Sequence, residues 1–308
     1  MKTVAIVNPA ARRHQAGRIW KTLLETLKHQ APHLTTWWTT SPGQAEVLAA
    51  RARRQGYERV LAGGGDGTVF EVANGLWWEP RGRLPSIGLI PLGTGCDYMR
   101  NFPRGPALRD CVDQALGEAT VAVAVGVLRV QTPPGKSLER VCLNVLGLGF
   151  DAQVVRRMRR QQLPLGGKIP YFLSGLQELL FYNHFRLTGQ MDGESFESHS
   201  SLLVAGLGRY FGGGMNITPG ASLQAGCFQV VWDQGLKRLA ILCLMGKIYT
   251  GGHLAHPQVQ SRFARHLEVT ADPPAVVQVE GELVGQTPLE LRLSPQRLQV
   301  AAAGCFLQ

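Results

Sequence analysis

Charge is scarce in this sequence: Asp, Glu, Lys and Arg make up 18% of its 308 residues, against 44% hydrophobic ones. Disorder needs the opposite balance, so a packed interior is expected, and the length suggests two domains. Long apolar runs are missing too. A membrane-spanning helix needs roughly 18 apolar residues, but the longest candidate, residues 239–245, is short and flanked by Arg238 and Lys247. At the start, Asn8-Pro9 interrupts the apolar pattern too early for the core of a signal peptide. These two absences predict a cytoplasmic protein. Close-spaced cysteines are absent as well. Cys96, Cys111, Cys142, Cys227, Cys243 and Cys305 are scattered, which excludes the short spacings of zinc and redox motifs and fits reduced thiols packed as small hydrophobes.

Positive charge and glycine, by contrast, are plentiful. The net charge is +10, which implies an anionic partner: nucleic acid, lipid headgroups or a phosphorylated substrate. Arg156, Arg157, Arg159 and Arg160 cluster beside the apolar stretch 171–182. Basic residues beside an amphipathic stretch fit an anionic membrane surface better than a nucleic-acid groove, with a solvated helix face as the plainer reading. The 37 glycines point to many tight turns.

The first 117 residues alternate short apolar strands with helical patterns. Strands are expected at 3–7, 34–38, 59–62 and 87–90, and helices around 19–27, 45–52, 69–76 and 107–116. That rhythm predicts an α/β domain on an open, mostly parallel sheet, over residues 1–120. The remainder, 121–308, reads as a β-rich sandwich with strands at 121–130, 141–148, 201–207, 228–232, 276–279 and 289–293. Two helical stretches, near 168–182 and 236–249, interrupt it. The final run, 298–303, could belong to either domain, so the last twelve or so residues could return to the first.

The strongest local signal is Gly63-Gly64-Gly65-Asp66-Gly67-Thr68, between a strand and a helix. Glycines there let backbone N–H groups approach a phosphate, and the helix start adds partial positive charge. Asp66 could orient the phosphates or hold Mg²⁺; a capped tight turn is the plainer reading. The turn is neither a P-loop, since Gly-Lys-Ser/Thr is missing, nor the dinucleotide fingerprint, since the glycine spacing differs. A second turn, Gly93-Thr94-Gly95-Cys96-Asp97, follows another strand, and Asn8 and Thr39 end two more. In a parallel sheet all four would lie at the same edge. His253 and His256 lack an obvious third metal ligand, and Trp37-Trp38 and Trp77-Trp78 read as packing rather than base-stacking platforms.

Over nearly its whole length the chain resembles the diacylglycerol kinase catalytic domain family, particularly its soluble bacterial lipid kinases. The resemblance rests on Asn8-Pro9, Thr39 with Gly43, the glycine turn followed by Glu71, Asn74 and Gly75, and the Pro91-Leu92-Gly93-Thr94 turn ending at Asp97. Further along it rests on Asn144 with Gly149-Phe150-Asp151, Gly212-Gly213-Gly214 with Pro219, and Glu280-Gly281-Glu282. It implies ATP and Mg²⁺ as cofactors, a lipid hydroxyl as acceptor, a role in phospholipid metabolism, and an active site between a nucleotide domain and a β-sandwich domain. Asn8, Thr39, Gly63, Gly64, Gly65, Asp66, Gly67, Thr68, Glu71, Gly93 and Thr94 would contact the nucleotide, and Glu282 would be the general base. A carboxylate on a flexible turn suits proton abstraction from a hydroxyl. If extended, Glu280 and Glu282 would face the same side; a charged hairpin turn is the alternative.

The sequence departs from the family pattern at Cys96, where Asn is usual, at Glu280, where Asp is usual, and at Ala225, where the family's Asp helps bind a structural Mg²⁺. Alanine cannot ligate a metal, so that site is expected to be absent or built differently. A lipid kinase in peripheral contact with an anionic membrane is the leading expectation, with no nucleic-acid partner and a homodimer left open. A NAD kinase is the first alternative, against which stands the lack of an Asn-Glu dipeptide. A catalytically impaired, nucleotide-responsive lipid-binding protein is the second.

Overall fold

The computed structural model describes residues 1–27, 31–102, 108–132, 135–160, 168–179 and 182–302, excepting the side chains of 26, 27 and 168–172. The chain divides into two compact units. One comprises Met1–Val123 and the segment from Arg297, and the other Ala124–Gln296.

The first unit runs β1 (Thr3–Val7), a one-turn α1 (Ala11–His14), α2 (Ala16–Leu27), β2 (Thr35–Trp38), α3 (Gln44–Arg54), β3 (Arg59–Gly64), α4 (Asp66–Trp78), β4 (Ser86–Pro91), α5 (Leu108–Leu116) and β5 (Thr120–Val123). The chain then returns with β19 (Leu298–Ala301). The sheet order is β2-β1-β3-β4-β19-β5, parallel except for β5 against β19. β1 and β3 are covered on both faces, which is why they read as continuous apolar runs. Ala5, Val7 and Leu61 face Trp20 of α2 and Val112 and Ala115 of α5. On the other face, α3 buries Ala45, Ala49 and Ala52, and α4 buries Val72, Ala73 and Leu76. Arg59, 1% exposed, donates to Ser86 Oγ at 2.9 Å and to the carbonyls of Ala115 and Gly117 at the end of α5. A cation there satisfies orphan carbonyls at a helix C-terminus.

The strand order reverses between β1 and β3. In an open α/β sheet, ligands bind outside the carboxyl ends of the strands at such a reversal. The segments that emerge there are Asn8-Pro9 and Gly63-Gly64-Gly65.

The second unit runs β6 (Gly126–Thr132), β7 (Lys136–Cys142), β8 (Val145–Gly149), α6 (Phe150–Arg160), α7 (Lys168–Leu179), β9 (Phe185–Met191), β10 (Glu194–Ser200), β11 (Leu202–Gly206), β12 (Tyr210–Phe211), β13 (Met215–Asn216), β14 (Phe228–Asp233), α8 (Arg238–Lys247), β15 (Val259–Ala264), β16 (His266–Asp272), β17 (Val276–Val279) and β18 (Glu282–Leu293). Eleven of these strands form one sheet among the described residues, in the order β10-β9-β16-β18-β17-β8-β11-β14-β15, with β6 on β18 and β7 on β6. The long β18 serves β17 with its first half and β6 and β16 with its second. This lets one hydrogen-bonded sheet curl over its own core.

Three expected strands differ in extent. The run 121–130 is two strands, β5 in the first unit and β6 in the second. The run 141–148 is broken at Leu143-Asn144, separating β7 from β8. Residues 289–293 are only the last part of β18, because Gly285 and Pro288 read as breaks but sit within a bulged strand. Part of the expected 168–182 helix, residues 180 and 181, lies outside the described residues, as do Ala107, Ala303 and Cys305. No helix among the described residues is long and apolar enough to cross a membrane.

Candidate active site

In the first unit the predicted nucleotide residues meet at one sheet edge. The Asn8 N–H donates to Gly63 O at 2.9 Å, and the Thr39 N–H to Val7 O at 3.0 Å. The N–H groups of Leu92 and Gly93 both donate to Gly64 O, at 3.0 and 2.9 Å. The two glycine turns are therefore stitched together, and their closeness sets their composition. A Cβ on Gly93 would lie 2.4 Å from Gly65 Cα, and one on Gly64 would lie 2.2 Å from Thr68 Oγ1. Thr68 is accordingly buried, while Thr94 is exposed at the tip of the second turn.

Two carboxylates hold this edge. Asp66 accepts the N–H groups of Asp97 at 3.1 Å and Tyr98 at 3.0 Å, one on each oxygen, so it ties the first turn to the second. Burial pushes the Asp66 carboxyl above its ordinary value, and those two N–H groups and Arg100 pull it back. Glu71, on α4, accepts the N–H groups of Gly43 at 2.9 Å and Ala45 at 3.0 Å, which closes the start of α3 behind Thr39. α4 differs. Its N-cap is Gly65, without a side-chain cap. First-turn N–H groups at an uncapped helix start are the donors a phosphate takes. Two helices thus begin at this edge; the one after the glycine turn has no side-chain cap, the N–H groups of Thr68 and Val69 donate to Gly65 O at 3.0 and 3.1 Å, and the Asp66 N–H donates to its own carboxylate.

Cys96 adopts a left-handed backbone, φ +50°, which Asn tolerates more readily than Cys. Burial first, then Asp66, pushes its thiol up to about 12, so it stays protonated as an apolar filler. Sequence reasoning missed the short α1, where Arg12 and Arg13 are left-handed, exposed and placed directly after Asn8-Pro9. The signal available was the basic triplet Arg12-Arg13-His14.

In the second unit Glu280-Gly281-Glu282 is the hairpin turn between β17 and β18. Glu280 (φ +54°) and Gly281 (φ +80°) are both left-handed, as a two-residue hairpin turn requires. The expected same-side pair of carboxylates therefore does not form, because the alternation of an extended strand is broken at the turn. Glu280 Oε1 instead accepts the N–H groups of Leu143 at 2.9 Å and Asn144 at 2.6 Å, fixing the turn to the β7–β8 connection. Glu282 opens β18, about one-third exposed, and pairs with Arg159 at the end of α6. Arg159 also donates to Gly281 O at 3.3 Å. Asn144 Nδ2 donates to Tyr210 O at 2.7 Å, next to the three left-handed glycines 212, 213 and 214.

Ala225 lies exposed in the turn where Ala225 N–H donates to Ser222 O at 3.1 Å, and it brings no ligand oxygen on its side chain.

Residues 2–128 match the diacylglycerol kinase catalytic domain, and residues 144–302 match the YegS C-terminal NAD kinase beta sandwich-like domain. The chain belongs to the diacylglycerol kinase and YegS-like lipid kinase family. It is 25% identical over 295 residues to a diacylglycerol kinase of Staphylococcus carnosus, a match covering 96% of this chain and 93% of that protein. It is 29% identical over 283 residues to a protein of Xanthomonas oryzae pv. oryzae named "Probable lipid kinase YegS-like", covering 89% and 88%. The fold is shared with the crystal structure of a diacylglycerol kinase from Bacillus anthracis str. Sterne, with a TM-score of 0.78, 22% identity and coverage of 98% and 97%. The yeast NADH kinase in complex with NADH shares the fold more distantly, with a TM-score of 0.51 and 10% identity.

Proposed function

We propose that this kinase transfers the γ-phosphoryl group of ATP to the hydroxyl of a membrane lipid of the diacylglycerol class. The observation that carries the reading is the pair of interlocked glycine turns at the start of α4, which no side chain caps, on a chain of this family. Asn8, Thr39, residues 63–68, Gly93 and Thr94 would border the nucleotide, with the phosphates at the first-turn N–H groups of α4. Asp66, and Asp97 beside it, would hold Mg²⁺ through water. ATP with Mg²⁺ supplies the activated phosphoryl group. The chain's own contribution is to orient it: Asp66 fixes one turn against the other, and Glu71 fixes the segment that carries Thr39. Glu282 would take the proton of the lipid hydroxyl, which requires its release from Arg159.

The acceptor class is supported by the surface of the second unit. α6 ends in Arg157, Arg159 and Arg160. On α7, Leu173 and Leu176 are exposed, and on α8 Leu239 and Leu242 are exposed, with Leu239 at 77%. In each helix the pair is three residues apart, on one face, and α8 begins at Arg238, ends at Lys247 and follows Lys237. Apolar side chains framed by basic ones suit contact with an anionic lipid surface. The test is incubation of the purified chain with radiolabelled ATP, a panel of lipid alcohols in mixed micelles, and NAD in a parallel reaction. Label in the organic extract with diacylglycerol or a related lipid is expected. Label in NADP with none in any lipid would contradict the proposal.

A further inference from the structure

The turn that carries Glu282 is gripped from behind by a buried polar relay. Asp151, the second residue of α6, is 3% exposed, and Gln278 of β17 is 2% exposed. Gln278 Nε2 donates to Asp151 Oδ2 at 2.9 Å. Gln278 Oε1 accepts the Gly281 N–H at 2.8 Å. The amide of one side chain thus joins a carboxylate in the core to the backbone N–H immediately before Glu282.

Several features show the relay to be built rather than incidental. A Cβ on Gly147 would lie 1.8 Å from Asp151 Oδ2, so β8 keeps a glycine where the carboxylate enters the sheet. Gln278 sits where the β17–β18 register shifts, which turns its side chain toward the hairpin end rather than into regular strand packing. Asp151 Oδ1 meets no hydrogen-bond partner among the described residues. Burial pushes this carboxyl up to about 6, with the Gln278 amide and the N–H groups of Ala152 and Asp151 pulling the other way. The carboxylate meets the N–H groups of Asp151 and Ala152 at the start of α6, and its bond to another side chain runs toward the 280–282 turn. The other end of the same helix, Arg159, holds the turn from outside through Gly281 O and Glu282. α6 therefore reaches Glu282 by two arms, one buried and one exposed.

We infer that Asp151 and Gln278 are positioning residues that set the orientation of Glu282 through the Gly281 N–H. The inference rests on the reading of Glu282 as the proton acceptor. Its mechanical content is simple. With the Gly281 N–H fixed, the Cα of Glu282 stays fixed when its side chain leaves Arg159, so the carboxylate swings about a defined base. Without the relay, the two left-handed residues of the turn are held by Glu280, through its carboxylate and its N–H to Val145 O at 3.1 Å, and by Arg159 on Gly281 O, but the Gly281 N–H itself is released. A misplacement of about 1 Å in a reacting group costs on the order of a hundredfold in rate.

The experiment uses the full chain with radiolabelled ATP and diacylglycerol in mixed micelles. Gln278→Leu removes both relay bonds, and it should lower kcat at least about tenfold while KM for ATP stays within about twofold. Asp151→Asn keeps an acceptor for Gln278 and should retain kcat within about threefold. In a Glu282→Gln background, Gln278→Leu should change the residual rate by less than about twofold, because its effect passes through Glu282. If Gln278→Leu does not fold, Gln278→Glu serves. It still accepts the Gly281 N–H but sets a carboxylate against Asp151, so its kcat deficit relative to the unaltered protein should be large near pH 8 and shrink near pH 6. An unaltered kcat in Gln278→Leu or Gln278→Glu would overturn the inference, as would a Gln278→Leu deficit of equal size in both backgrounds. Failure of the base reading looks different: Glu282→Gln alone would then turn over like the unaltered protein.

Discussion

At the scale of the residue, the carboxylates divide by what their oxygens already hold. Asp66, Glu71 and Glu280 each accept two backbone N–H groups, and each joins segments far apart in sequence. Among the described residues Glu282 pairs with Arg159 at a partly exposed position, while the other three are tied to backbone N–H groups. The motif set was legible in the sequence because glycine clusters beside carboxylates are rare. What each carboxylate does was not, since a side chain that bonds backbone amides 28 or 31 residues away leaves no local pattern. Gly93→Ala tests the interlock. A Cβ there has backbone, not a movable side chain, 2.4 Å away. The variant should lose about 1–3 kcal/mol of stability by denaturant titration, and KM for ATP should rise; unchanged values for both would contradict the interlocked turns.

Asp151 gives a second prediction at this scale. Its folded-state pKa of about 6 lies above the unfolded value of 3.8, so the folded chain binds the proton more tightly than the unfolded one. The contribution is most favourable below about pH 4 and is lost as pH rises through about 6. Asp151→Asn should therefore be more stable than the unaltered protein by up to about 3 kcal/mol near pH 8. The gap should close near pH 4. Thermal unfolding at the two pH values measures it, and a variant less stable at the higher pH would contradict the burial argument.

At the scale of the element, regular apolar patterns were read correctly and polar ones were not. β1, β3 and β4 are apolar runs closed by glycine or proline, and α2 to α4 carry helical spacing. β10 has the sequence ESFESHS with both faces largely polar, and β15 is similarly mixed, whereas β16 buries Leu267, Val269 and Ala271 in alternation, a short pattern that sequence reasoning missed. An antiparallel strand with one solvated face carries too few apolar residues to stand out. α6 was seen only as a cluster of arginines, although its Val154, Val155 and Met158 form a buried stripe. The exposed leucines of α8 belong to this scale too. Leu239→Asp with Leu242→Asp should leave the thermal midpoint nearly unchanged, since both side chains face solvent. It should reduce co-sedimentation with phosphatidylglycerol vesicles at least about tenfold. Unchanged sedimentation would remove α8 from the proposed lipid-facing surface.

At the scale of the whole molecule, the chain is organised as two units whose boundary crosses the sequence twice. β19 lies between β4 and β5, so the first unit is completed only by the segment from Arg297. The sequence pattern left that run open between the two domains, because a short apolar strand carries no mark of which sheet it joins. The proposed division of labour follows the units: the first supplies a phosphate-binding edge at the strand-order reversal, and the second supplies Glu282 and the surface suited to lipid.

In the proposed reaction Glu282 takes the proton of a lipid hydroxyl while ATP is bound by residues elsewhere in the chain. Steady-state kinetics of Glu282→Gln, with ATP varied at saturating diacylglycerol in mixed micelles, tests this most directly. A kcat lower by about two to four orders of magnitude is expected, with KM for ATP within about threefold of the unaltered protein. An unchanged kcat, or a loss confined to KM for ATP, would contradict it.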